Sequence, residues 1–473
     1  MTYKHGVGTS EIPTSIIPPA TTTAGLPVVF GTAPVNLVSG EVLVNKPILA
    51  YSYSEAVQKL GYSEDFEKYT LCEFMSSHFA LFNTGPVVFV NVLDPKTHKK
   101  PGTETLTITK GETVLKVPGI LIPSLVVKSA DGTTLYPKDE NEVEFDEEGH
   151  LHIFTTISNE IKVEFDQLDP DAVKPADIIG GVSQDGAYKG LELINHVFPM
   201  FRLVPGLIVA PKFSTNVSVA AVMAAKAANI NGSFKAQALV DIPTDTVRDY
   251  TKVAAYKNDN NLTSSLQVVC WPKVSLDGKQ YHMSTQAAGV MNVTDAANDG
   301  IPYKSPSNKD LKADSAVLSD GTEITLGQDQ AAYLNGQGIV TALNFIGGWK
   351  LWGNRTAAYP SVTDPKDSFI AVRRMFNNEQ NQLILTYWQK VDDPMNKKLI
   401  ETVIDSKNID LNGKAARGYI LGGRVEFLEA ENPITALIDG KITFHMYLTP
   451  PVPAREIEFL VEFDVSYFKT LFG

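Results

Sequence analysis

The sequence predicts an α/β protein, α+β overall: a discontinuous open α/β sheet domain, a small all-β insertion, and a C-terminal α+β domain with extended arms at both chain ends. Three observations carry that reading. Continuous apolar runs such as 87–92 alternate with helical periodicity up to about residue 93 and again after about 190, as in sheets covered on both faces. Between them, short β-like runs alternate with Gly, Pro and Asp turns. At the C-terminus, Ile457, Phe459, Val461, Phe463, Val465 and Tyr467 share one face of a period-two pattern opposite Glu456, Glu458, Glu462 and Asp464.

Residues 1–27 hold Pro13, Pro18, Pro19 and Pro27 and few large side chains, and read as an extended arm. An α/β domain from 28–93 plus 190–300 begins with a strand at 28–31, a helix from Ser54 to Leu60 with Ser54 as its cap, a longer helix at 65–82, and the strand at 87–92. Its second part alternates strands at 206–210, 236–242 and 266–271 with helices at 215–229, 245–256 and 283–297. The insert at 94–189 places strands near 105–109, 114–117, 143–145, 151–156 and 161–165. A C-terminal α+β core at 301–455 follows a polar connector, with a helix at 328–334, strands at 338–345 and 349–352, a long helix at 369–391 and a strand at 442–448. Residues 456–473 form a β arm.

With 473 residues, 43% hydrophobic and 20% charged, the chain has the composition of a folded protein rather than a disordered one. Its net charge of -13 disfavours nucleic acid and anionic lipid as partners. Most of that charge is local, because 131–190 carries 15 acidic residues against 4 lysines. Such a segment reads as a solvated outer surface. Cys72 and Cys270 are too few for a disulfide framework or a four-cysteine zinc site, and read as buried small hydrophobes in a reducing cytoplasm. Residues 1–13 lack the apolar region of a signal peptide, and no apolar run reaches the length of about 20 residues that spans a bilayer. The expectation is a soluble protein without direct membrane insertion, released by lysis or a signal-independent route.

Catalytic chemistry is not evident. Gly336-Gln-Gly338 lacks a third glycine and leads into a strand, and no Walker, HExxH or Gly-x-Ser-x-Gly pattern occurs. A calcium loop at 139–148 lacks the required ligand spacing. His150 and His152 have no carboxylate fixed on their face by spacing, so a metal reading is disfavoured there. Asp241 stands at a strand end where open sheets hold ligands, but Thr244 and Asp245 are placed to cap the following helix. No catalytic residue, cofactor or metal is therefore expected. What remains is two unpaired ends, each able to add a strand to a neighbour's sheet in a heterologous contact that builds rings or filaments.

Against that background, Leu334-Asn-Gly-Gln-Gly-Ile-Val340, Gly347-Gly-Trp-Lys-Leu-Trp-Gly-Asn-Arg-Thr356, Phe369-Ile-Ala-Val-Arg-Arg-Met375 and the closing 450–463 segment resemble the tail sheath proteins of contractile phage tails and R-type bacteriocins. The start at Val28-Val-Phe-Gly-Thr-Ala-Pro34 is similar too. The resemblance is strongest over 330–473. It implies a structural subunit of stacked hexameric rings around an inner tail tube protein, with baseplate and terminator or collar proteins at the ends. Contraction would drive the tube through a target envelope. It also implies arms that weave neighbours together, anchored by Ile12, Ile16 and Ile17 at one end and by Ile457, Phe459, Val461 and Phe463 at the other. Trp349 and Trp352 are expected under the C-terminal sheet. Arg373, Arg374, Lys397 and Lys398 are candidates to face the tube, against the plainer reading of a solvated helix face. The rival classes are an α/β enzyme, which predicts a monomer or small closed oligomer, and a surface-layer or adhesion protein.

Overall fold

The computed structural model describes residues 24–137, 141–146, 148–157 and 160–472. Residues 1–23 of the expected N-terminal arm, with Ile12, Ile16 and Ile17, lie outside them, and its last residues do not form an arm: Leu26 is buried and Pro27 begins a strand of the large sheet.

A mixed nine-stranded sheet organises the described residues, in the order Lys309–Asp310, Trp349–Trp352, Ile339–Asn344, Gln267–Cys270, Gln237–Asp241, Leu207–Val209, Pro27–Gly31, Val87–Asn91, Pro47–Ala50. The six strands from Ile339–Asn344 through Val87–Asn91 run parallel, and each flanking strand pairs antiparallel with its inner neighbour. Val28 stands opposite Ile208 on one side and Val88 on the other, so segments far apart in sequence meet in one register. Pro27–Gly31, Val87–Asn91 and Gln237–Asp241 are buried at every position, which is why they read as unbroken apolar runs. Strands beyond residue 300, expected in a separate C-terminal core, extend this same sheet.

Helix Met283–Ala296 is buried on almost every side. Gly289 lets the Phe82 ring lie where a Cβ would stand 2.3 Å from it. Several expected boundaries move for local reasons. The first helix, Tyr53–Leu60, is capped by Ser52 rather than Ser54. The next helix starts at Thr70, not residue 65, because Thr32 ties down that turn through its carbonyl to Leu71 N and its hydroxyl to Lys68 O. Its continuation at 76–81 is wound as a π-helix. Helix Tyr250–Asp259 is capped by Asp249, while the Thr244 hydroxyl is taken by Ser319 at 2.7 Å.

The acidic insert has an apolar cluster of its own, centred on Leu115, Ile120, Leu151, Ile153, Ile161 and Val163. A four-stranded sheet contains Lys99–Thr107 and Glu160–Leu168, and a three-stranded sheet contains Glu112–Leu115, Leu151–Thr155 and Asn141–Phe145. Within Glu160–Leu168, Ile161, Val163 and Phe165 point inward and alternate with Lys162 and Glu164. Cys72 and Cys270 are buried free thiols, and burial pushes Cys72 up to about 12.

Candidate assembly surface

The C-terminal half is built on helices Ile370–Tyr387 and Lys397–Ala416 and the two-stranded sheet Gly422–Glu426 with His445–Thr449. Met375, Leu411, Ile420 and Val425 form its apolar centre. Beside it a buried ion network joins the helices. Glu379 accepts from Lys407 at 2.8 Å and from Lys414, and Asp410 meets the same two lysines at 2.6 and 3.0 Å. Burial alone would pull Lys407 down, but Glu379 and Asp410 hold it above the usual lysine value.

Arg373 and Arg374 are not on an exposed face. Their helix end is buried, Arg374 makes a two-pronged pair with buried Asp295 and reaches the Ala24 carbonyl, and Arg373 pairs with Asp367 at 2.9 Å and Asn377 at 3.0 Å. These guanidiniums tie the helix to the large sheet layer, so their charge is spent inside the subunit and does not face a tube. Asn377 and Asn381 add bonds to the backbone of Ala236 and Lys235. Lys397 and Lys398 are exposed, Lys397 beside Glu401 at 3.5 Å. Trp349 and Trp352 belong to the large sheet rather than packing under the C-terminal one, because their strand pairs with Ile339–Asn344. The Trp349 indole donates to the Asp314 carbonyl at 2.8 Å.

The two edges of the small sheet differ. On the outer side of Gly422–Glu426, the side chain of Asn408 donates to Val425 O at 3.2 Å and accepts from Val425 N at 2.8 Å, filling that edge. Among the described residues no strand pairs with the outer side of His445–Thr449. Asn408 was invisible to pattern reading, since a helical asparagine carries no signal for the edge it fills.

Beyond Thr449 the chain leaves the sheet through Pro450, Pro451 and Pro453. Among the described residues the expected β arm makes no strand pairing, and 465–472 form 3₁₀ turns. Period-two patterning marks a strand face, but a strand needs a partner, and none of the described residues supplies one. Ile457 and Phe463 are exposed, Phe459 is 83% exposed and Val461 93%. Such apolar exposure marks an association surface.

An alternative site lies at the C-terminal ends of the parallel strands, a cleft of about 320 Å³ beside Asp241, Cys270, Lys273 and His282. Its polar groups serve the fold. Asp241 accepts from Ser214 and from both the backbone and hydroxyl of Ser284, and Glu73 takes the backbone N–H of His282 at 2.7 Å and its Nδ1 at 2.8 Å. The two carboxylates thereby cap helix Met283–Ala296.

No protein-family model matches the chain. Its sequence is 27% identical to the tail sheath protein of Burkholderia phage BcepMu over all of this chain and 99% of that one. The fold matches chains in the sixfold-symmetrised baseplate of the anti-feeding prophage (TM-score 0.59, 14% identity, 98% of this chain and all of that one) and in that particle's contracted helical sheath (TM-score 0.57, 16% identity, with the same coverage). Sequence likeness to a tail sheath protein along the whole chain, on a fold shared with chains of contractile particles, supports a contractile tail sheath family.

Proposed function

We propose that the chain is the subunit of a contractile tail sheath, in which hexameric rings stack helically around an inner tube protein between a baseplate and terminator or collar proteins. Contraction drives the tube through a target cell envelope. The observation that carries this reading is the exposed apolar run at 457–463, which has no strand partner among the described residues, beside a His445–Thr449 edge that none of them covers. In this reading residues 456–473 of one copy, with the part of the N-terminal arm that precedes residue 24, complete the small sheet of another, and the backbone bonds of the added strand join neighbours while nearly rigid subunits slide. The work comes from a difference in interface burial and charge pairing between two packings.

A division between the sheet domain, which begins at 28–93, resumes at 190–300 and continues past residue 300 through Ile339–Asn344 and Trp349–Trp352, and an outward-facing acidic insert (94–189) suits that assembly. It is supported by the insert's separate apolar cluster and by the charge carried on 131–190. Lys397 and Lys398 remain candidates to face the tube. Assembly would occur in the bacterial cytoplasm with release by lysis. No helix among the described residues is long and apolar enough to cross a membrane.

Negative-stain microscopy of Val461→Pro and of a chain lacking residues 1–20 tests the arms. Proline removes a backbone donor, and at an exposed position it leaves the subunit folded. Wild type is expected to give hollow cylinders with sixfold end views, and both variants folded subunits that do not polymerise. Normal cylinders from the variants remove the arm mechanism, and a monomeric wild type removes the sheath reading itself.

A further inference from the structure

Building on the sheath reading, we propose that a pocket at the root of the C-terminal arm receives the acidic face of another copy's arm, with Arg355 and Arg455 pairing with Glu458 and Glu462 of that copy. The pocket, of about 310 Å³, has both arginines and no carboxylate in its lining. All four stretches that carry the family resemblance meet there, through Asn335, Arg355 and Arg455, with Phe369 behind Arg355. Arg355 is fixed in place: its guanidinium lies 4.3 Å from the centre of the Tyr359 ring and 3.7 Å from that of Phe369, and Nη1 donates to Ser368 Oγ at 2.8 Å. Burial lowers its pKa, Tyr359 opposes this, and the like charge of Arg455 adds to the lowering, with no carboxylate contributing. Arg373 and Arg374, by contrast, each hold an aspartate. Carboxylates are not scarce in a chain with 54 acidic and 41 basic residues. Arg355 is thus a positioned cation whose counter-charge comes from outside the described subunit.

The arm supplies the complement. Glu458 and Glu462 are exposed, lie on the face opposite Ile457, Phe459, Val461 and Phe463, and enter no ion pair among the described residues. Arg455 meets Glu456, its neighbour in sequence, at 2.9 Å, an exposed pair of little worth. Position favours the arm as occupant. The open edge of the small sheet ends at Thr449, and four residues later the chain reaches the pocket wall at Pro453, at most about 14 Å on. A strand laid on that edge by the proposed exchange ends within reach of the pocket. Backbone bonds would then hold the added strand, and the charge-assisted pairs at Arg355 would select it.

The test compares the wild-type full chain with Arg355→Gln, Arg455→Gln, the double variant Glu458→Gln/Glu462→Gln, and that double variant combined with each arginine change. Circular dichroism checks folding, and sedimentation with negative-stain microscopy gives the lowest concentration at which cylinders form. Arg355→Gln and the glutamate variant are each expected to raise that concentration about 10- to 100-fold with an unchanged dichroism spectrum, and the exposed Arg455→Gln to raise it less. Combining arginine and glutamate changes should add little, because both remove one contact. If Arg355→Gln does not fold, the Arg455→Gln combination decides alone. Full additivity, or cylinders at the wild-type concentration from the arginine variants, overturns the pocket and leaves the sheath reading standing. So does coupling found instead in urea unfolding of the unassembled subunit, which marks a contact within one copy. A wild type that never forms cylinders overturns both.

Discussion

His78 is fully buried, stacked on Phe74 with ring centroids 4.2 Å apart, and neither ring nitrogen has a hydrogen-bond partner among the described residues. Burial pushes its pKa down to about 3. The folded state keeps the ring neutral, whereas the unfolded chain takes up a proton below about pH 6.5. This contribution to stability is intact above that pH and is lost as pH falls toward the folded value, at up to about 1.4 kcal/mol per pH unit. The stability difference between wild type and His78→Phe, followed by urea unfolding from pH 7 to pH 4, should therefore shift steadily against the wild type. A flat difference would show that the ring is not held neutral. At Gly338, φ is +69°, and a Cβ would stand 2.5 Å from Tyr359 O and 2.6 Å from Thr356 O. Gly338→Ala is expected to destabilise by at least about 1 kcal/mol, read as a lower urea midpoint. The motif holding Gly338 was legible in the sequence, but the carbonyls that require its glycine were not.

At the scale of elements, legibility followed hydrophobic periodicity. The strand at Val87–Asn91 was found because apolar side chains fill four of its five buried positions, whereas helix Met283–Ala296 also buries Gln286, Asn292 and Asp295 among its apolar residues. Helix Lys397–Ala416, the longest described, was missed. Two of its four buried positions are Lys407 and Lys414, so the inward face does not read as apolar and shows its logic only once Glu379 is placed opposite. The same substitution of ion pairs for apolar contacts misled the reading of Arg373 and Arg374, whose charges point inward to Asp367 and Asp295. Glu379→Gln would leave two buried lysines with Asp410 as their carboxylate and Gln382 as a neutral acceptor for Lys414, and a loss of about 3–5 kcal/mol is expected from urea unfolding. Replacing Glu379, Lys407 and Lys414 together by apolar residues should recover most of that loss, since breaking a buried network costs more than removing it. If the triple variant is as unstable as the single one, the network is not the source of the effect.

For the whole molecule, the sheet built from distant segments followed from the alternation of strands and helices, and the insert from its turns and charge. The boundary expected at residue 300 dissolved because the strands at Ile339–Asn344 and Trp349–Trp352 pair onto an edge that local patterns do not reveal. The C-terminal run reads in the sequence as a strand face, but among the described residues it forms no strand and has no strand partner; the proposal is that another copy supplies one. A helical reconstruction of the assembled sheath by electron cryo-microscopy tests this most directly. The map should show backbone hydrogen bonds between the His445–Thr449 edge of one subunit and residues 456–464 of its neighbour. A map in which 457–463 folds back against its own subunit, with that edge bare, would contradict it.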